Sequence, residues 1–236
     1  MFGTGILLYV VNSCHLHGAK MDFSTARHNM VESQIRPNRV TDTVLMEALA
    51  VLPREKFVPK AMKGVAYVDE AIDIGKGRYL MEAWVLARLL EAAEVQPDDV
   101  ALLIGCGSGY EAAVMSYLAG SVVALETSKT LIKYANETLV DLTIDTVAIV
   151  EGELVHGYER QAPYDVILIN GAVPDVPERL GNQLDEGGRL VAIVGNGAYG
   201  KGTLVTRYND NVTSHEIFDA GTPTLPGFEE NAIFSF

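Results

Sequence analysis

The chain has 236 residues, enough for one large α/β domain with additions or for two small ones. Hydrophobic residues make up 48% of it and charged residues 21%, an ordinary balance for a soluble globular enzyme. The formal net charge of −13 argues against general nucleic-acid binding, because a phosphate backbone asks for a basic surface and no Lys/Arg cluster supplies one.

From the start of the chain, Gly5 to Val11 is apolar, but no Lys or Arg precedes it and no clear small-x-small cleavage site follows. Residues 1–20 are therefore expected to form a loose extension. His15 and His17 lie within it, and the five histidines of the chain form no metal motif, so no metal is expected. The two cysteines, Cys14 and Cys106, show neither C-x-x-C nor zinc spacing, which fits a reducing cytoplasm. No stretch reaches the ~20 apolar residues that span a bilayer, and no membrane partner is expected.

Folded structure is expected from Met21 onward, as a single domain over residues 21–236. Its first part, 21–98, reads as a helical appendage to a core over 99–236. Phe23 to Ile35 has helical spacing, with Ser24 as N-cap and Pro37 as stop. Thr41 is expected to cap a second helix, Asp42 to Leu52, whose Val44, Leu45, Leu49 and Leu52 form one face. Pro53 to Pro59 is a rigid connector, and a glycine-spaced loop, Gly75-Lys-Gly77-Arg78-Tyr79, follows Ile74. Met81 to Glu94 reads as an amphipathic helix, and Gln96-Pro-Asp-Asp99 turns the chain into a short apolar strand, Val100 to Ile104.

That strand ends in Gly105, Gly107 and Gly109, and a helix opens at Glu111. Strand, glycine turn and helix in that order form the first βα unit of a nucleotide-binding α/β domain. The next strand, Ser121 to Glu126, ends in a carboxylate near the ~20-residue offset at which an acid meets ribose hydroxyls. A dinucleotide fold calls for G-x-G-x-x-G, with a pyrophosphate on the helix N-terminus. Here Tyr110 takes the place of the last glycine and the pattern is G-x-G-x-G. That spacing suits an adenosine ligand without phosphates, with S-adenosyl-L-methionine the leading candidate. The plainer alternative is a glycine turn that only packs helix on strand.

Further along, Ser128 to Leu142 reads as a helix and Thr146 to Val150 as the third strand, followed by Gly152-Glu153. Tyr164 to Asn170 is the fourth strand, whose carboxyl end is where a doubly wound sheet places chemistry. Val176 to Leu184 is expected as a short helix, and Gly188 to Val194 as a fifth strand after a Gly187-Gly188 turn. Gly202 to Tyr208 and Val212 to Phe218 flank Asn209-Asp-Asn, a hairpin signal at the sheet edge. Alternating β and α units point to a mostly parallel twisted sheet covered on both faces, with an antiparallel hairpin last.

Met30-Val-Glu-Ser-Gln-Ile35, Pro53-Arg-Glu-Lys-Phe-Val-Pro59, Ala66-Tyr-Val-Asp69, Ile74-Gly-Lys-Gly77, IGCGSGYEAAV, Ala162-Pro-Tyr-Asp165 and Gly187-Gly-Arg-Leu-Val191 occur in that order. Together they resemble the protein-L-isoaspartate O-methyltransferase family over roughly residues 22–205. The resemblance implies a Rossmann-like class I methyltransferase dependent on S-adenosyl-L-methionine. Such enzymes esterify the stray carboxylate of L-isoaspartyl residues in damaged proteins, so the implied partners are proteins or peptides carrying that lesion. Gly105, Gly107, Gly109, Glu126 and Glu153 are the expected cofactor residues.

The departures mark a divergent member. The family's loop after I-G-x-G reads Q-T-I-S, and here it is Arg78-Tyr79-Leu80-Met81, so Met81 stands at the serine usually assigned to the active site. Family G-D-G becomes Gly152-Glu153-Leu154, and the threonine after the fourth strand becomes Asn170. An acid expected two residues before the first glycine is Leu103, which implies weaker cofactor binding than in standard members. A carboxylate acceptor needs no general base, so catalysis can rest on positioning the reactants. Arg78 offers a planar cation for such a carboxylate, or is simply a solvated loop arginine. Asn170 is a second candidate acceptor contact. Tyr79 and Trp84 either wall the acceptor pocket or pack as core, and Glu153 is either an adenine ligand or a solvated loop acid. Three functions compete: isoaspartyl repair, methyl transfer to a different acceptor, and a non-catalytic protein that binds the cofactor or a partner.

Overall fold

The computed structural model describes residues 22–209 and 211–228; the expected extension over residues 1–20 lies outside them. Helix α1 (Phe23–Met30) begins where the Asp22 carboxylate accepts hydrogen bonds from the Ser24 and Thr25 N–H groups. Asp22, two residues before the expected Ser24, is therefore the cap. The helix widens into a π turn over Val31–Ile35 and runs on as a 3-10 turn, Arg36–Asn38, through the expected stop at Pro37, until Arg39 takes a left-handed φ of 62°. Helix α2 (Thr43–Val51) is likewise capped by Asp42, because Thr41 is already engaged with the Glu91 carboxylate through both its N–H and its hydroxyl. Leu45, Leu49 and Leu52 of its expected face are buried, but Val44 is half exposed.

The glycine-spaced loop is a hairpin of β1 (Ile72–Gly75) and β2 (Arg78–Leu80). Its turn residues Gly75, Lys76 and Gly77 all have positive φ. Helix α3 (Ala83–Ala93) follows and buries Val85, Leu86, Leu89, Leu90 and Ala93. The main sheet then forms from β3 (Val100–Ile104), β4 (Ser121–Glu126), β5 (Val147–Glu151), β6 (Tyr164–Val173), β7 (Leu184–Asn196), β8 (Tyr199–Tyr208) and β9 (Asn211–Asp219). Their spatial order is β5-β4-β3-β6-β7-β8-β9. The first five run parallel and the last two antiparallel, which is the expected doubly wound sheet with its edge hairpin. Order reverses between β3 and β6, so the crevice for a ligand lies at their carboxyl ends. Helices α4 (Tyr110–Met115), α5 (Lys129–Asp141) and the short α6 (Glu178–Gly181) complete the crossovers.

Several boundaries differ from expectation: the helix expected over Val176 to Leu184 is only Glu178–Gly181, β8 begins at Tyr199 instead of Gly202, and β6 and β7 are both longer. Strand β6 continues past Asn170 to Val173, and β7 begins at Leu184 and takes in Gly187-Gly188. Tyr164 pairs with Leu184 while Val166 pairs with Arg189, so the glycine pair sits in a bulge within the strand instead of in a turn ahead of it.

Alternation along β3 assigns the two faces. Ala101 and Leu103 join one cluster with α1 to α5, including Met30, Leu45, Leu86 and Leu139. The N-terminal helices thus share one continuous core with the sheet. Leu102 and Ile104 join the other cluster, with Leu154, Leu180, Leu225 and Phe228. That second face is covered by short turns, α6 and the C-terminal segment. Leu225 N–H donates to the Ala172 carbonyl at 2.8 Å, Ala172 N–H donates to the Pro223 carbonyl at 3.0 Å, and Thr222 Oγ1 meets Glu82 Oε2 at 3.0 Å. Residues 222–225 are in effect a strap across the carboxyl edge of β6.

Candidate functional site

The glycine turn has the conformation its sequence demands. Gly105, Gly107 and Gly109 have φ of 82°, 56° and 94°, where a side chain would be strained. Each also faces a close neighbour. A Cβ on Gly105 would lie 2.9 Å from Leu225 Cδ1, one on Gly107 would lie 2.9 Å from Ile74 Cδ1, and one on Gly109 would lie 3.1 Å from Ala135 Cβ. Cys106 between them is fully buried, and burial pushes its thiol well above the ordinary range, with Glu126 and Glu111 adding to the rise. It is a packing residue of the turn.

Glu126 stands at the end of β4, as expected, with no exposed surface. Its Oε2 accepts from Gly107 N–H at 3.0 Å and from Arg78 Nε at 3.0 Å. Its Oε1 accepts from Arg78 Nη2 at 3.1 Å, Thr127 N–H at 2.8 Å and Ser128 N–H at 3.0 Å. Arg78 Nη2 also donates to Thr127 Oγ1 at 3.1 Å. The planar fork of the guanidinium matches the carboxylate bidentately, the strongest geometry for such a pair. Arg78, only 5% exposed, is therefore neither the solvated loop arginine nor a free cation facing an acceptor carboxylate.

Asn170 closes the opposite side. Its Nδ2 donates to the Gly105 carbonyl at 3.0 Å, tying the end of β6 to the glycine turn. Met81, at the position of the family serine, is 1% exposed, and its carbonyl accepts from Arg54 Nη2 at 2.5 Å. The thioether belongs to the hydrophobic core. Tyr79, Met81, Asn170 and Leu225 line what little space remains beneath the strap, about 10 Å³. Trp84 packs at 6.0 Å against Phe218 of β9 and does not reach this space. Glu153 lies just beyond β5, its side chain 77% exposed and paired with His156 at 3.0 Å.

Sequence reasoning missed a buried polar group behind the turn. Arg54, inside the connector, is fully buried; its Nε donates to the Ala66 carbonyl at 2.8 Å and its guanidinium lies 4.8 Å from the Tyr110 ring centre. Glu111, 1% exposed in the first turn of α4, has its carboxyl pushed up to about 7 by burial, against the pull of Arg54, Met81 N–H and Asn170. An acid two residues after the last glycine of the turn was the available signal for Glu111, whereas Arg54, beside Glu55 and Lys56, carried none.

A nucleoside fits a crevice like this only if the glycine faces and the strand-end carboxylate are free to meet it. With the side chains in this arrangement they are not. Leu225 covers Gly105, Ile74 covers Gly107, and Arg78 takes the outward lone pairs of Glu126.

Comparisons with known proteins bear on the same elements. The family model described as protein-L-isoaspartate(D-aspartate) O-methyltransferase matches residues 25–219. A protein-L-isoaspartate O-methyltransferase of Methanoculleus marisnigri is 39% identical over 169 residues, covering 72% of this chain and 77% of the relative. One from Koribacter versatilis is 37% identical over 174 residues, covering 74% of this chain and 78% of the relative. Among solved structures, a protein-L-isoaspartate O-methyltransferase superposes with a TM-score of 0.72 at 25% identity, over 86% of this chain and 67% of that one. A Plasmodium falciparum structure described as a member of the same enzyme class in complex with S-adenosyl-L-homocysteine shares the fold. Its TM-score is 0.71 at 20% identity, over 88% of this chain and all of that one.

Proposed function

Because the chain belongs to the protein-L-isoaspartate(D-aspartate) O-methyltransferase family, we propose that it methylates the free carboxylate of isoaspartyl residues in proteins and peptides. S-adenosyl-L-methionine is the methyl donor in this reading. The observation that carries it is the family match, which spans the helices before the sheet, the glycine turn and the edge hairpin alike. A likeness confined to the glycine turn would support only a class of cofactor.

Gly105, Gly107, Gly109, Glu126 and Glu153 are the residues proposed to hold the donor, and all lie along the carboxyl edge of the sheet. Tyr79, Met81 and Asn170 border the space beneath the strap and are the proposed neighbours of the acceptor. With Met81 in place of a hydroxyl, selection of the acceptor there rests on shape and on the Asn170 amide. The buried free thiol of Cys106 is at home in a reducing cytoplasm, where we place the protein.

The test is incubation of the purified chain with methyl-labelled S-adenosyl-L-methionine and an isoaspartyl peptide beside its aspartyl twin. Base-labile label on the isoaspartyl peptide alone is expected. Label on neither peptide overturns the reading. A second reading, transfer to another acceptor, is favoured by the buried thioether at position 81, and label on small molecules of a lysate but not on the peptide would select it.

A further inference from the structure

We propose that Arg78 is a built-in occupant of the cofactor crevice: its guanidinium stands on Glu126 in place of a ribose diol and sets how tightly an adenosine cofactor is held. The proposal rests on the methyltransferase reading and adds to it the residue that governs access.

Three independent features place Arg78 there. Its two bonds to Glu126, at 3.0 and 3.1 Å, add to those from the Gly107, Thr127 and Ser128 N–H groups and the Thr127 hydroxyl, and together they fill both oxygens of the carboxylate. Ribose hydroxyls need the same lone pairs, so guanidinium and ribose are mutually exclusive on Glu126. The hairpin that carries Arg78 is pinned over the turn, with Ile74 against Gly107 and Gly77 against Pro226, the residue after the strap. The strap in turn lays Leu225 over both Gly105 and Gly171. Arginine, hairpin and strap thus close one crevice from two sides.

In the Q-T-I-S loop that this stretch resembles, glutamine stands where Arg78 does, and it has neither the charge nor the second parallel donor of a guanidinium. An arginine holds a buried carboxylate more firmly than an amide does, so a ligand must first displace it. Where a binding-competent state is a minor fraction of the population, apparent affinity falls by that fraction. Arg78 standing on Glu126 therefore lowers the apparent affinity for an adenosine cofactor, by a route separate from the one expected of Leu103.

Calorimetric titration of the full chain with S-adenosyl-L-homocysteine tests this on the wild type, Arg78→Gln and Arg78→Lys. Arg78→Gln is expected to bind on the order of tenfold or more tighter than wild type, with Arg78→Lys between them. Equal or weaker binding by a folded Arg78→Gln overturns the proposal. Wild-type protein supplies a measurement that depends on no variant: saturating S-adenosyl-L-homocysteine should raise amide deuterium uptake over residues 76–80. Unchanged or lowered uptake there, with ligand bound, also overturns it. Failure of the access role is separable from failure of the acceptor reading. Tighter binding by Arg78→Gln with no label on the isoaspartyl peptide retains the one and removes the other, and labelled peptide with unchanged affinity does the reverse.

Discussion

Replacing Glu111 with Gln should change how the stability of this protein depends on pH. The Glu111 carboxyl is buried behind the glycine turn, and its removal from water raises it to about 7 from the ordinary 4.5. In the unfolded chain it ionises at the ordinary value, so between the two the folded state binds the extra proton. Stability from this group is therefore full below about pH 4.5 and is lost as pH rises through about 7. Over that interval the loss amounts to about 3 kcal/mol. Glutamine keeps the shape and never ionises. Urea unfolding of wild type and Glu111→Gln at several pH values from about 4.5 to 8 isolates the group, because every other titration is common to both proteins. The wild type should lose about 3 kcal/mol relative to the variant across the series, with the loss complete by about pH 8. Parallel curves for the two proteins would refute the reasoning and mean that the carboxylate is ionised in place.

Three further outcomes are expected from urea denaturation. Glu126→Gln strands the Arg78 guanidinium in the interior and should cost about 3–5 kcal/mol. Combined with Arg78→Met it should cost less than the two singles together, by more than about 1 kcal/mol, whereas additivity would show that the pair is not coupled. Arg54→Lys loses the fork that reaches both the Ala66 and Met81 carbonyls and should destabilise by about 2 kcal/mol, so an unchanged urea midpoint would refute that role. Gly105→Ala places a methyl group 2.9 Å from Leu225 Cδ1 at a positive φ and should cost about 1–2 kcal/mol, and a neutral result would mean that the strap yields freely.

The centre of the sheet was legible because β3 and β4 are buried on both sides and so read as unbroken apolar runs. Val100–Ile104 and Ser121–Glu126 end where the sequence places them. Helix starts were less legible where two capping residues compete. Ser24 and Thr41 each neighbour an aspartate that takes the role, and in the second case the reason is Glu91, fifty positions away. The glycine turn and the acid after it could be read as a site from local spacing. What occupies that site could not: Arg78 reaches Glu126 across 48 positions and Leu225 reaches Gly105 across a still longer span. Nothing in either local stretch specifies such partners, because they are set by how a hairpin and a strap are carried over the sheet edge. The same limit explains Arg54, whose burial depends on two carbonyls and a ring brought in from three other segments.

The strap also has a consequence for the order in which the protein matures. Leu225, which roofs Gly105 and Gly171, is made 120 residues after the first of them. A chain emerging from the ribosome can therefore pair β3, β4 and β6 while Gly105 is still unroofed, although Ile74, made earlier, can already lie against Gly107. The order of synthesis thus lays the hairpin's cover first and the strap's cover last.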